Sequence, residues 1–187
     1  MTPCLASARL AMRPQIIADA DALFEAYSDP ELMRYWSSAP HMDVEGTRAY
    51  LTTRVPMDDW RGWSITLQGD DRAIGTLAAG RRRNGVVEIG YMLARQYWGQ
   101  GYAREAVSRL LDFLFHEEQR RRVIADTDPD NVASNALLKS LGFTREGHLR
   151  GEWETHIGVR DSYIWGLLRD EWRGANQCVA DAAKARG

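Results

Sequence analysis

The chain has 187 residues, 44% of them apolar and 27% charged, with a formal net charge of −2. That length suits one domain with a proper core and is short for two. The near-neutral balance offers no footprint for nucleic acid or a membrane surface, and no apolar run approaches the ~20 residues of a membrane span.

In chain order, Arg9 to Arg13 (RLAMR) alternates and meets Pro14, which predicts a short strand ending at a turn. From Asp19, Ala22, Leu23, Ala26 and Tyr27 fall at helical spacing until Asp29-Pro30 stops the helix. Glu31 to Trp36 reads as a further helical turn, and Asp43 as the N-cap of a helix running to about Val55. Trp63–Gln68 and Ala73–Ala79 read as strands joined by the turn Gly69-Asp70-Asp71. Asn84-Gly85 is a second turn, which makes Val86–Leu93 the third strand of an antiparallel meander. The flanking run Arg81-Arg82-Arg83, like Arg120-Arg121-Arg122, reads as a solvated turn.

The best-patterned helix follows. Ala103, Ala106, Val107, Leu110, Leu111, Leu114 and Phe115 recur at i, i+3, i+4, i+7, i+8, i+11 and i+12, a stripe that must cover a sheet. Arg122–Thr127 is the next strand, and a helical connection of this length sets it parallel to Val86–Leu93. Asp128-Pro129-Asp130-Asn131 is a turn that caps a short helix ending at Gly142. Phe143–Arg150 and Ser162–Leu168 read as a final strand pair. The expected fold is a single α/β (α+β) domain over residues 1–173, with a mixed, mostly antiparallel sheet flanked by helices. Residues 174–187 read as a frayed or disordered tail. Cys4 and Cys178 have no CxxC or metal spacing, which points to free thiols, a reducing compartment and no metal. The start, MTPCLASARLAMRP, has no apolar core behind a charged segment, so a cytoplasmic location without a secretory signal is expected.

The functional signal lies where the strand Val86–Leu93 breaks into Gln96-Tyr97-Trp98-Gly99-Gln100-Gly101 and a helix opens behind it. Glycines let backbone N–H groups approach a ligand, and the helix dipole favours a phosphate there. No Gly-Lys-Ser/Thr follows, which excludes a Walker A loop, and the third glycine of a dinucleotide fingerprint is replaced by Arg104.

Strand, glycine loop, amphipathic helix and the later Asn131…Leu141-Gly142-Phe143 together resemble the GCN5-related N-acetyltransferase (GNAT) family, from about Leu5 to Leu168. Gln96-x-x-Gly99-x-Gly101 matches its Q/R-x-x-G-x-G/A signature. RLAMR, SDPELMRYW (28–36) and NVASNALLKSLGF (131–143) are similar to the branch of ribosomal-protein N-terminal (Rim-type) acetyltransferases. The resemblance implies acetyl-CoA as acetyl donor, with the backbone of Tyr91, Met92 and Leu93 pairing with pantetheine where neighbouring strands splay. It implies that backbone N–H groups from Gln96 to Arg104, including those of Gly99, Gln100, Gly101, Tyr102 and Ala103, hold the pyrophosphate. Asn131 would bond the pantetheine arm, a role compatible with its reading as a helix N-cap. Arg104, in the first turn of its helix, opposes the dipole unless a phosphate sits there; otherwise it is a solvated arginine.

Acetyl transfer needs a neutral amine, a polarised thioester carbonyl and a stabilised leaving thiolate. The N–H of Met92 or Leu93 is a candidate to polarise the carbonyl. Glu88 is a lone carboxylate in the apolar strand VVEIGYML. It is a candidate base, as the branch implies, or a residue that alternation turns to solvent. Many family members carry a tyrosine acid four residues ahead of the glycine of the Gly-Phe pair; here that position is Leu138. Ser134 matches the branch's serine and is a candidate to hydrogen-bond the sulfur, or is simply a first-turn helix serine. Tyr35, Trp36, His41 and the segment 150–153 with Trp153 are expected to line the acceptor pocket. The expected acceptor is a protein or peptide α-amine. Small amines (a polyamine, an amino acid or an aminoglycoside) are the second reading, with Asp43, Asp58 and Asp59 in support, and an acyl-CoA-binding regulator is the third. Self-association into a homodimer stays open.

Overall fold

A computed structural model describes residues 2–55 and 59–174 of the chain. Asp58, Cys178 and the expected tail beyond Gly174 lie outside the described residues. The strands are β1 (Leu5–Ala6), β2 (Leu10–Pro14), β3 (Trp60–Leu67), β4 (Ala73–Arg83), β5 (Val86–Leu93), β6 (Arg122–Thr127), β7 (Thr144–Thr155) and β8 (Gly158–Leu168). The helices are α1 (Ala20–Tyr27), α2 (Pro30–Met33), α3 (Val44–Arg54), α4 (Tyr102–Asp112) and α5 (Val132–Ser140). All eight strands form one sheet in the order β1-β2-β3-β4-β5-β6-β8-β7. Every neighbouring pair is antiparallel except β5–β6, where the α4 crossover enforces the parallel direction.

Local chemistry explains most boundaries. Asp29 caps α2 by accepting from the Glu31 and Leu32 N–H groups. Asp43 caps α3 by accepting from Gly46 N–H, as its position predicts. The helix expected from Asp19 begins one residue later, behind a 3-10 turn over Ile17–Asp19. The stripe on α4 buries Ala106, Val107, Leu110 and Leu111, and each large aliphatic so covered contributes about 1.5–3 kcal/mol. Beyond Asp112 the chain widens into a π turn over Phe113–Glu117, which keeps three consecutive apolar residues, Phe113, Leu114 and Phe115, buried. The final hairpin is longer than its apolar pattern suggests, because the polar stretch 151–161 continues the pairing past bulges in β7.

Helices cover both faces of the sheet. Val87, Ile89 and Leu93 of β5 pack with α4, whereas Met92 packs on the other face with Leu23, Tyr27, Met33 and Leu51 from α1, α2 and α3. No helix among the described residues is long and apolar enough to cross a membrane.

Candidate active site

The site is made by an interruption in the sheet. β5 and β6 pair only at Val86–Arg122, Val87–Val123 and Glu88–Ile124, so the rest of β5 has lost its neighbour on that side. On its other side β5 stays paired with β4 as far as Leu93–Gly75. The Ala94 N–H donates to Ile74 O at 2.9 Å, which makes Leu93–Gly75 a non-hydrogen-bonded pair whose own polar groups face away from β4. By alternation, Tyr91 and Leu93 present backbone groups at the open edge and Met92 presents its own to β4. Of the three residues expected to pair with pantetheine, Met92 thus turns its N–H toward β4. The Leu93 carbonyl accepts the Trp98 indole N–H at 2.6 Å, so its N–H is the group left facing the gap.

At the end of β5 the chain turns through a 3-10 segment, Arg95–Tyr97. Tyr97 N–H donates to Ala94 O and Trp98 N–H to Arg95 O, which narrows the expected cradle by removing two of its donors. Gly99 and Gly101 then adopt φ of 72° and 81°, the left-handed region that glycine enters without steric cost. Among the described residues, the N–H groups of Gly99, Gln100, Gly101, Tyr102 and Ala103 have no protein acceptor, as the start of a helix requires. Five such donors at a dipole's positive end, with no side chain projecting from Gly99, fit a pyrophosphate.

The loop is braced from both sides. Arg95 pairs with Asp29 and Glu31, and Gln96 Nε2 donates to Glu25 at 3.0 Å. Arg9 donates to Gln100 O at 3.0 Å and to Glu105 at 2.7 Å, with its guanidinium 4.5 Å from the Tyr102 ring centre. Arg104 reaches Ser140 O at 3.4 Å.

On the face of the gap away from α4 stand two carboxylates. Glu88 is mostly covered, its side chain 13% exposed, and pairs with Arg82 from β4. Burial pushes its carboxyl above the ordinary range; the Arg82 hydrogen bond and charge restrain the rise, and nearby Asp126 adds to it. Asp126 accepts from the Trp153 indole N–H at 3.0 Å and from Ser162 Oγ. Tyr35 OH donates to Asp130 O at 3.2 Å, and Arg160 clamps Asp128 and Asp130. Trp36 is half-buried, its indole N–H 3.4 Å from Tyr50 OH. His41 is built into packing between α1 and α3: it stacks on Tyr27 at 4.9 Å, and its Nδ1 lies 2.9 Å from Thr47 Oγ1. Burial holds its imidazole below the usual value, in the neutral form.

On the α4 face, Ser134 Oγ lies 2.6 Å from Tyr91 OH across the gap. Asn131 Oδ1 accepts from Ser134 N–H at 3.1 Å, so the N-cap reading holds and leaves the amide nitrogen for a ligand. Leu138 is fully buried in the core beneath. The sequence reading missed Arg82, taken for a solvated turn, together with Asp126, Ser162 and the hydroxyl of Tyr91. Asp126 carried the same signal as Glu88, a lone carboxylate inside the apolar strand RVIADT; the others have none. Among the described residues, no three His, Cys, Asp or Glu gather to hold a metal ion.

An Acetyltransferase (GNAT) domain family matches residues 9–144. The N-acetyltransferase p20 of Bacillus licheniformis, itself uncharacterised, is 35% identical over 89% of this chain and 96% of its own. A protein named as a candidate ribosomal N-acetyltransferase, YdaF of Bacillus subtilis strain 168, is 28% identical over 67% of this chain and 72% of its own. A crystal structure of a candidate acetyltransferase from T. thermophilus superimposes with a TM-score of 0.86 at 27% identity, covering 97% of each chain.

Proposed function

We propose that this chain, which belongs to the GNAT family and is an acetyl-CoA-dependent N-acetyltransferase, acetylates the α-amine of a protein or peptide N-terminus. The observation that carries this choice of acceptor is the Glu88 carboxylate set against Arg82. Burial raises the Glu88 carboxyl and the Arg82 guanidinium restrains the rise, so Glu88 stays a weak base. An α-amine with pKa ~7.7–8.0 needs only about 1 kcal/mol to be neutral at pH 7, whereas a lysine at ~10.4 needs about 4–5 kcal/mol. A weak base therefore suits the first acceptor and not the second. The similarity to YdaF supports the same reading.

Acetyl-CoA supplies an activated thioester. In this reading the free N–H groups from Gly99 to Ala103 hold the pyrophosphate, supported by Gln96 and Arg104. The open-edge groups of Tyr91 and Leu93 and the Asn131 amide hold the pantetheine arm. The Leu93 N–H polarises the thioester carbonyl, Glu88 receives the amine's proton, and Ser134 faces the sulfur. Tyr35, Trp36 and Trp153 border the acceptor side, with His41 supporting them from the packing behind. The cytoplasm is where such a thioester donor and a protein N-terminus would meet. A small cationic amine is the second reading, favoured by Glu88 and Asp126 standing on one face.

The test offers lysine-containing peptides with free or blocked N-termini, and polyamines, and locates the acetyl group by mass spectrometry. Acetylation confined to free α-amines is the expected result. Turnover only on polyamines or lysine side chains overturns it.

A further inference from the structure

The pair formed by Tyr91 and Ser134 has a surplus proton. Two hydroxyls carry two protons, and the 2.6 Å contact uses one of them. Among the described residues, neither oxygen has a further side-chain or backbone acceptor, so one O–H is left pointing at something other than protein. Which one is left is a matter of acidity. A phenol is a far stronger hydrogen-bond donor than an alcohol, and the alcohol oxygen is the better acceptor. Tyr91 therefore donates to Ser134 Oγ, and the serine proton is the free one. The Ser134 N–H donates to Asn131 Oδ1 at 3.1 Å, which fixes the backbone from which the hydroxyl projects.

The pair stands in the gap between β5 and β6. The phosphate-type loop at Gly99–Gly101 lies beyond one end of β5's open edge, and Glu88 marks the other end. A thioester anchored at the loop and presented to an amine at Glu88 would run along this open edge, beside the pair. We infer that Tyr91 fixes the Ser134 hydroxyl as a hydrogen-bond donor to the sulfur of the acyl donor, so that the departing thiolate is stabilised as an anion. This rests on the acetyl-CoA reading of the site. Tyr91 is in these terms a positioning residue acting through Ser134.

The pair works as a donor and not as an acid. Burial pushes the Tyr91 hydroxyl up to about 12, against the lowering effect of its bond to Ser134. A thiol ionises near 8.5, so complete transfer from tyrosine to thiolate is opposed by more than about a thousandfold. The bond changes balance without it: C–N forms, C–S breaks, the electron pair leaves with sulfur, and the ammonium proton passes to Glu88. The thiolate takes its proton from water on release.

The test is the ionisation of the thiol in bound CoA, followed by the ultraviolet absorbance of the thiolate and by the pH dependence of CoA affinity. In the unaltered protein the bound thiol should ionise at lower pH than in free CoA. Ser134→Ala removes the hydrogen bond to the charged sulfur and should raise the thiol pKa by about one unit, a tenfold loss of thiolate; Tyr91→Phe, which leaves the serine hydroxyl free to rotate, should raise it in the same direction by no more than that. The double variant should match Ser134→Ala alone, because Tyr91 acts only through the serine. Ser134→Thr keeps the hydroxyl and should restore the lowered value, and thermal unfolding of each variant checks that the site is formed. A thiol pKa unmoved by Tyr91→Phe in a folded protein, or additive effects in the double variant, overturns the inference. Failure of the unaltered protein to bind CoA would instead overturn the functional reading beneath it.

Discussion

The Arg82 guanidinium closes on the Glu88 carboxylate from the neighbouring strand, placing a cation against the one acidic side chain of β5. The pair sits where β6 leaves the sheet, since Glu88–Ile124 is the last parallel pairing.

Arg82 restrains the Glu88 carboxyl, which burial has already raised. Arg82→Gln removes the restraint, so the acid limb of the kcat/KM profile should move up by about one unit, the low end for a half-exposed partner. Glu88→Gln should lower kcat by about 10²–10⁴-fold with CoA affinity nearly unchanged. The folded state also holds the Glu88 proton more tightly than the unfolded chain. Stability contributed by this residue therefore falls as pH rises from about 4.3 through the folded value, more so in Arg82→Gln. A limb that stays in place in the pH–rate profile would remove Glu88 from the reaction.

Asp19 is 4% exposed and takes Arg13 in two bonds of 2.6 and 2.9 Å, with Ser64 Oγ at 2.6 Å and Ile16 N–H at 3.0 Å. Burial alone would raise its carboxyl, but these four donors outweigh it and hold it below the usual range. Asp19→Asn leaves Arg13 with one partner fewer in a covered site, and should cost about 3–5 kcal/mol in urea unfolding. A depressed carboxylate stabilises above its unfolded value, so this contribution is lost as pH falls below about 3.9 toward the folded value. Thermal melts across that range should show a steeper acid decline in the unaltered protein than in Asp19→Asn.

Gly101 caps α4 with φ of 81°. Gly101→Trp forces an L side chain into that region at about 1–2 kcal/mol and puts an indole beside the free N–H groups. Titration calorimetry should show CoA affinity lost by at least about a hundredfold, with the thermal midpoint lowered by only a few degrees. Full affinity would refute the phosphate-loop reading.

A Cβ at Gly75 would fall on the Met92 carbonyl and crowd the Leu93 backbone. Those atoms belong to a strand and cannot step aside as a side chain can. Gly75→Ala should cost about 1–3 kcal/mol and weaken CoA binding together with stability, because it displaces the stretch of β5 that borders the gap. Denaturant unfolding and calorimetry on the same samples check both.

Local chemistry was readable in advance wherever neighbours in the chain decide the outcome. The bounds of β5 and β6, the Asp43 cap, the glycine loop and the stripe of α4 follow from periodicity, caps and turns, all of which act within a few residues. Even the parallel direction of β5 and β6 followed from the helix between them.

The sequence by itself thus determined the architecture and the glycine-loop strand that marks the chain as an acetyl-CoA enzyme. The tertiary structure alone decided which side chains meet at the gap. Tyr91 and Ser134, Trp153 and Asp126, and Arg82 and Glu88 come together through sheet register and the point at which β6 diverges. Register inverts a residue's face with every one-residue slip, and no local pattern states where two strands part. That is why Arg82 read as a solvated turn and Tyr91 as backbone alone, while the structure turns both side chains toward the place where strands separate.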